Sequence, residues 1–101
     1  MNITDYIGVG RDNAVTRGQL AAKLGLSDRA VREMIAAARE QGALIVNLQD
    51  GAGYYMTEDE GELTRQYRSN QARAISILRQ QKYIRRKLHE IQNRDQITWG
   101  D

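Results

Sequence analysis

The stretch LAAKLGLSDRAVREMI, residues 20–35, sets two helical patterns almost end to end, with only Gly25, Leu26 and Ser27 between them. Just upstream, Thr16 precedes Gln19 by three residues, the capping-box spacing that satisfies orphan N–H groups at a helix start. Leu20, Ala21 and Leu24 then mark one helical face, and Gly25 ends the run as a left-handed cap. Ser27 caps the next helix, with Asp28 well placed against the positive end of its dipole. Val31, Met34, Ile35 and Ala38 recur at three- and four-residue steps and form a stripe to be buried. The opposite face then carries Ser27, Asp28, Arg29, Arg32, Glu33 and Ala36. The spacing predicts two short helices held at an angle, the second turning its arginines outward.

Working outward, residues 3–7 suit a short first helix capped by Asn2 or Thr4, and GVGRDN breaks the pattern with turn formers. Ala14-Val15 is long enough for a stub of strand. After Gly42 closes the second helix, the β-rich run 43–48 leads into Gln49-Asp50-Gly51-Ala52-Gly53, which has hairpin turn chemistry. Tyr54-Tyr55-Met56 returns as a second strand, and alternation predicts one tyrosine in the core and the other on the surface. Thr57 with Glu60 reads as another capping box. From there Leu63, Tyr67, Asn70, Ala74, Ile77, Gln81, Ile84, Leu88 and Ile91 follow alternating four- and three-residue steps. Such a repeat predicts a long amphipathic helix of roughly 45–50 Å, with Ser69-Asn70 its weakest point. The fold class expected is mainly α (α+β). Residues 1–57 form a compact domain, 58–94 a basic amphipathic helix for dimerisation or docking, and 95–101 a tail.

Composition narrows the function. The chain has 101 residues, 41% hydrophobic and 28% charged, with no cysteine, so disulfides, thiolate catalysis and thiolate metal sites are all absent. No apolar run is long enough for a membrane span, and the start MNITDYIGVG lacks the basic-then-apolar order of a signal peptide. A cytoplasmic setting is expected. The net charge of +2 conceals an asymmetry: residues 1–62 carry six Lys/Arg and ten Asp/Glu, while 63–94 carry nine Lys/Arg against Glu90 alone. A segment at +8 that cannot neutralise itself calls for something anionic beside it.

The predicted order of helix, stub strand, helix, tight turn, helix and hairpin resembles the winged helix-turn-helix arrangement. Ala21, Gly25 and Val31 stand at the spacing that helix-turn-helix sequences use. The run SDRAVREMIAAAREQGALIVNLQDGAGYYM is similar to the N-terminal domain of biotin-repressor-type regulators. Ser27, Arg29, Val31, Ile35, Arg39, Gly42, Ile45, Gly53 and Tyr54 carry that likeness, which covers residues 14–57. No biotin-ligase pattern follows. The whole chain resembles small prophage-encoded winged-helix proteins of Gram-positive bacteria.

That resemblance implies a sequence-specific double-stranded DNA-binding protein, a small dimeric phage or prophage transcriptional regulator that reads the major groove with the helix over 28–41. In such proteins the second helix presents its N-terminal half to base edges. Ser27, Asp28, Arg29, Arg32, Glu33 and Ala36 are then the candidate base contacts, with Arg29 or Arg32 able to make a two-point bond to guanine. Glu33 either accepts from cytosine or pairs with Arg29 or Arg32. The wing tip, 47–53, has no Lys or Arg and carries Asp50, so a phosphate grip by the wing is not expected. Arg17 is the better backbone contact, joined by Arg79, Lys82, Arg85, Arg86 and Lys87. Those five also suit the acidic domain of a neighbouring copy. Ile77, Ile84, Leu88 and Ile91 are the candidate dimerisation residues, with Asn70 and Gln81 interrupting the seam.

Two other readings stand beside this one: a winged-helix interaction module in a phage replication or packaging assembly, and a non-specific architectural DNA binder acting through the basic helix. No enzyme activity, cofactor or metal is expected. Gly8-Val9-Gly10 begins like a dinucleotide loop, but Asn13 stands where the third glycine belongs. Glu58-Asp59-Glu60 is helix-start chemistry, His89 has no catalytic companions, and Trp99 sits in the tail as a disordered residue or a partner anchor.

Overall fold

The computed structural model describes residues 2–48 and 51–100, with side chains described as far as Arg94. The chain is mostly helical, with a two-stranded antiparallel sheet and a long C-terminal helix. It divides into two compact units, Met1–Tyr67 and Arg68–Asp101.

In the first unit, helices α1 (Arg17–Leu24) and α2 (Asp28–Glu40) form about the corner anticipated above. Thr16 N–H donates to Gln19 Oε1 at 2.8 Å and Gln19 N–H to Thr16 Oγ1 at 3.1 Å, a complete capping box. Gly25 turns the chain at φ 67, ψ 33, and the next amide, Leu26 N–H, reaches back to Ala21 O. Ser27 Oγ accepts from Ala30 N–H at 3.1 Å, so α2 starts on a satisfied cap. Leu20 of α1 and Val31 and Ile35 of α2 are buried together with Ile3, Ile7, Ile45 and Tyr54, and Met34 and Ala38 pack against this cluster. Each fully buried aliphatic side chain contributes about 1.5–3 kcal/mol, so this small cluster holds the corner.

The sheet is shorter than the 43–48 run suggested. Strand β1 (Ile45–Val46) pairs with β2 (Tyr55–Met56), Ile45 opposite Met56 and Val46 opposite Tyr55. The expected Ala14-Val15 stub appears as a single antiparallel bridge, Val15 to Tyr54, and Val9 makes a parallel bridge to Met56. Gly53 is required there twice over. Its φ is +104, and a Cβ would lie 2.3 Å from Val15 O. Gln49 and Asp50, the acidic part of the expected hairpin turn, lie outside the described residues.

Three expectations are corrected. Residues 3–6 form a 3-10 turn, Ile3–Tyr6, capped by Asn2, because Ile7 already has extended backbone. Tyr54 and Tyr55 are both buried, at 7% and 0% exposure, so strand alternation fails. Tyr54 faces the helix core, while the Tyr55 hydroxyl donates to Glu62 in the first turn of helix α3 (Glu60–Gly100). The cap of that helix is Asp59, whose carboxylate accepts from Glu62 N–H at 2.9 Å. Thr57 instead donates to Glu62 Oε1 at 2.8 Å and accepts from Asp59 N–H. Gln66 Oε1 accepts from Asn47 N–H at 2.7 Å. Glu62 and Gln66 thus tie the opening turns of α3 to the sheet, and the first unit extends to Tyr67. The helix itself runs past the expected end at 94, and the side chain of Trp99 lies outside the described residues. Among the described residues no helix is long and apolar enough to cross a membrane.

Candidate nucleic-acid interface

Helix α2 buries Val31 and Ile35 and half-buries Met34 and Ala38, which turns the other face to solvent. Ser27, Asp28, Arg29, Arg32, Glu33 and Ala36 are all exposed. The predicted row is therefore brought together on one side, and no part of the first unit covers it.

Its charges are paired with one another. Arg29 Nε donates to Glu33 Oε1 at 3.1 Å, one turn along the helix. Asp28 stands between two arginines, with Arg17 Nε at 2.5 Å on one carboxylate oxygen and Arg32 Nε at 3.5 Å on the other. Three guanidinium groups thus meet two carboxylates, leaving this patch with one net positive charge. Exposed pairs one helical turn apart stabilise by only about 0.3–0.5 kcal/mol. A two-point arginine–guanine contact discriminates by about 1–3 kcal/mol, so a nucleic acid can displace the Arg29–Glu33 pair at small cost. The pairs of Arg29 and Arg32 are made through Nε.

Arg17 is held differently from the other two. Its hydrogen bond to Asp28, helped by the Tyr54 hydroxyl, raises the guanidinium above its already high pKa. It braces the start of α1 against the start of α2, across 11 residues of chain. Its side chain is only 41% exposed against 85% for Arg29. Arg17 therefore joins the two helices through Asp28.

Arg39, matched above only through a family likeness, has a structural task. Its Nε donates to Ile45 O at 2.9 Å and its guanidinium stacks 5.9 Å from the Tyr54 ring centre. That fastens the end of α2 to the sheet. Sequence reasoning also missed an apolar groove of about 470 Å³ lined by Val9, Leu44, Met56, Thr57 and Glu58. No alternation signals it, because Leu44 precedes β1 and both residues of that strand are buried.

In the second unit Arg79, Lys82, Arg85, Arg86 and Lys87 are all exposed. At 100° per residue, Arg79, Lys82 and Arg86 share the side of the helix opposite the apolar stripe, while Arg85 and Lys87 flank it. Arg86 stacks over the Tyr83 ring at 5.9 Å, and Lys87 Nζ lies 3.9 Å from Glu90 Oε1. Ile77, Ile84, Leu88 and Ile91 each leave more than a third of their surface exposed.

No family model, characterised protein or solved structure matches this chain. The chemistry of the two faces has to carry the functional reading by itself.

Proposed function

We propose that this chain is a sequence-specific double-stranded DNA-binding protein of winged helix-turn-helix architecture, a small dimeric transcriptional regulator of phage or prophage origin, working in the cytoplasm. The observation that carries it is the outward row on α2. That helix is the second of a pair joined at a Gly-Leu-Ser corner, its apolar stripe is fully committed to the core, and Arg29, Arg32 and Glu33 remain for base edges. Arg29 and Arg32 suit guanine and Glu33 suits cytosine. The basic strip of Arg79, Lys82, Arg85, Arg86 and Lys87 supplies sequence-independent attraction to phosphate, and Ile77, Ile84, Leu88 and Ile91 join two copies. The hairpin contributes no cationic grip, and Arg17, paired with Asp28, adds a DNA-backbone contact at the start of α1.

The test is a titration of the double variant Arg29→Ala/Arg32→Ala against a duplex recovered by selection from random sequence. Each lost two-point contact lowers affinity by about 1–3 kcal/mol, roughly 5- to 150-fold, with the melting temperature unchanged. Unaltered affinity would refute the assignment of the row.

A second reading draws on the ion pairs. Arg17, Arg29 and Arg32 all have carboxylate partners within the first unit, and residues 1–62 carry a net −4. A winged-helix module that docks on another protein of a replication or packaging assembly suits such a surface. It binds no duplex even at low salt, where phosphate contacts are strongest. The architectural reading rests on the +8 segment alone and gives equal affinity for every sequence, abolished by replacing Arg85, Arg86 and Lys87.

A further inference from the structure

We infer that the second unit is a parallel, in-register self-association helix whose partner is the same segment of a second copy. The inference rests on the self-association proposed above and adds its direction. Between 70 and 91 the 4-3 spacing assigns Ala74, Gln81 and Leu88 to one seam position (a) and Asn70, Ile77, Ile84 and Ile91 to the other (d). The isoleucines and Leu88 on this seam are 38–60% exposed in the isolated chain, an apolar edge interrupted at Gln81 and without a cover inside the unit.

The flanking charges choose the direction. Positions on one side of the seam (g) are Arg73, Gln80 and Lys87, and on the other (e) Leu78, Arg85 and Gln92. In a parallel pair each g residue meets the e residue five places on in the other copy. Arg73 then faces Leu78, Gln80 faces Arg85, and Lys87 faces Gln92. Every cation meets a neutral neighbour, and the glutamines offer it a carbonyl oxygen. An antiparallel pair sets g against g, and the full-length overlap brings Arg73 onto Lys87 at both ends. Like charges so placed are destabilising. At full overlap this seam therefore associates with itself without close cation–cation contacts only in the parallel sense. Arg79, Lys82 and Arg86 stay on the outer surface and remain accessible to phosphate.

Gln81 in an a layer fixes register, as a buried polar residue does there. Isoleucine at the d layers 77, 84 and 91 with Leu88 at a moves parallel bundles from two chains toward three or four, so the mass in solution is expected at or above the dimer.

The chain has no cysteine, which makes Ala74→Cys a direct reporter of direction. Parallel pairing sets residue 74 beside its own copy, whereas antiparallel pairing sets it beside residue 84 or 91. Full-length Ala74→Cys is expected to sediment as an oligomer at micromolar concentration and to form a disulfide-linked dimer on mild oxidation. Pairing holds the thiols at an effective concentration of about 1 mM, so cross-linking at 10 µM chain is roughly a hundredfold faster than between free monomers. Adding Leu88→Asp, which charges the exposed seam without touching the first unit, is expected to remove both the oligomer and the rate advantage. An oligomer that does not cross-link overturns the parallel direction while self-association stands. A monomer overturns both.

Discussion

Two amphipathic helices in this protein end up in opposite conditions. Helix α2 has its stripe of Val31, Met34, Ile35 and Ala38 packed against α1, the first turn and the sheet, and its outward charges are paired. The part of α3 beyond Arg68 has an equally regular stripe with no cover in its own unit and a charge surplus that Glu90 and Asp95 do little to offset. Periodicity alone does not separate them. What separates them is whether other elements of the same unit supply an apolar surface: for α2 they do, and for the second unit no element of that unit does. The proposed self-association would give the second stripe the cover that the first unit gives to α2.

The largest effect that sharpens this contrast is on stability. Ile35→Ala, at 2% exposure in the centre of the cluster, is expected to cost about 2–5 kcal/mol in chemical denaturation of the first unit. Ile84→Ala, a deletion of the same size at 60% exposure, should leave that transition where it was and reduce the sedimenting mass instead. If both substitutions destabilise the first unit equally, the two helices are not in opposite conditions.

Next in size is the junction between sheet and α3. Glu62 accepts from the Tyr55 and Thr57 hydroxyls, so Glu62→Ala removes one acceptor from two partly buried donors. A cost of about 1–3 kcal/mol is expected, again read by denaturation. Glu62→Gln, which keeps one carbonyl oxygen, should cost less. Equal losses from the two variants would show that Glu62 acts through packing rather than as an acceptor.

How much of this was legible beforehand follows from sequence distance. The Thr16–Gln19 box, the Gly25 corner, the Ser27 cap and the α2 stripe are all settled within four residues of chain, and each is readable as a pattern. Long-range partners are not. Asn47 meets Gln66 across 19 residues and Arg17 meets Asp28 across 11, and no local rule names them. The α3 start is displaced because Thr57–Glu60 and Asp59–Glu62 have the same spacing, and the Thr57 hydroxyl is taken up by Glu62 Oε1 and Asp59 N–H instead of by Glu60 N–H. Alternation failed at Tyr54 and Tyr55 for a related reason. A strand bordered by Val15, Val9 and β1, with α3 starting beside it, has no solvent face to offer the second ring. Of the candidate interface, exposure of the row was legible from the stripe, and its internal ion pairing was legible only for Arg29 and Glu33.

Salt separates the two regions without any substitution. Duplex binding through phosphates weakens as salt rises, with a log–log slope of about −0.9 per phosphate neutralised. Association of two segments that each carry +8 should strengthen over the same range, because the repulsion between them is screened and their apolar seam is not. Titrations of DNA affinity and of sedimentation from low to moderate salt are therefore expected to move in opposite directions. Parallel movement would mean that charge attraction, for example to the acidic first unit of a neighbour, holds the oligomer together.

The smallest expected stability change comes from Asp28→Asn, and it bears most directly on the interface. Asp28 sits in the first turn of α2, where a negative charge is favoured by the helix dipole, and the site is half exposed. Neutralising it should cost no more than about 1 kcal/mol. The same change frees Arg32 and Arg17 from their shared carboxylate and takes a negative charge away from the approaching backbone. Affinity for the selected duplex should therefore rise several-fold, by the gain of about one phosphate contact, and the salt slope should steepen by about 0.9. A fall in affinity would mean instead that Asp28 holds Arg32 in the orientation needed for a base edge, and that the pairing on this face is preorganisation rather than competition.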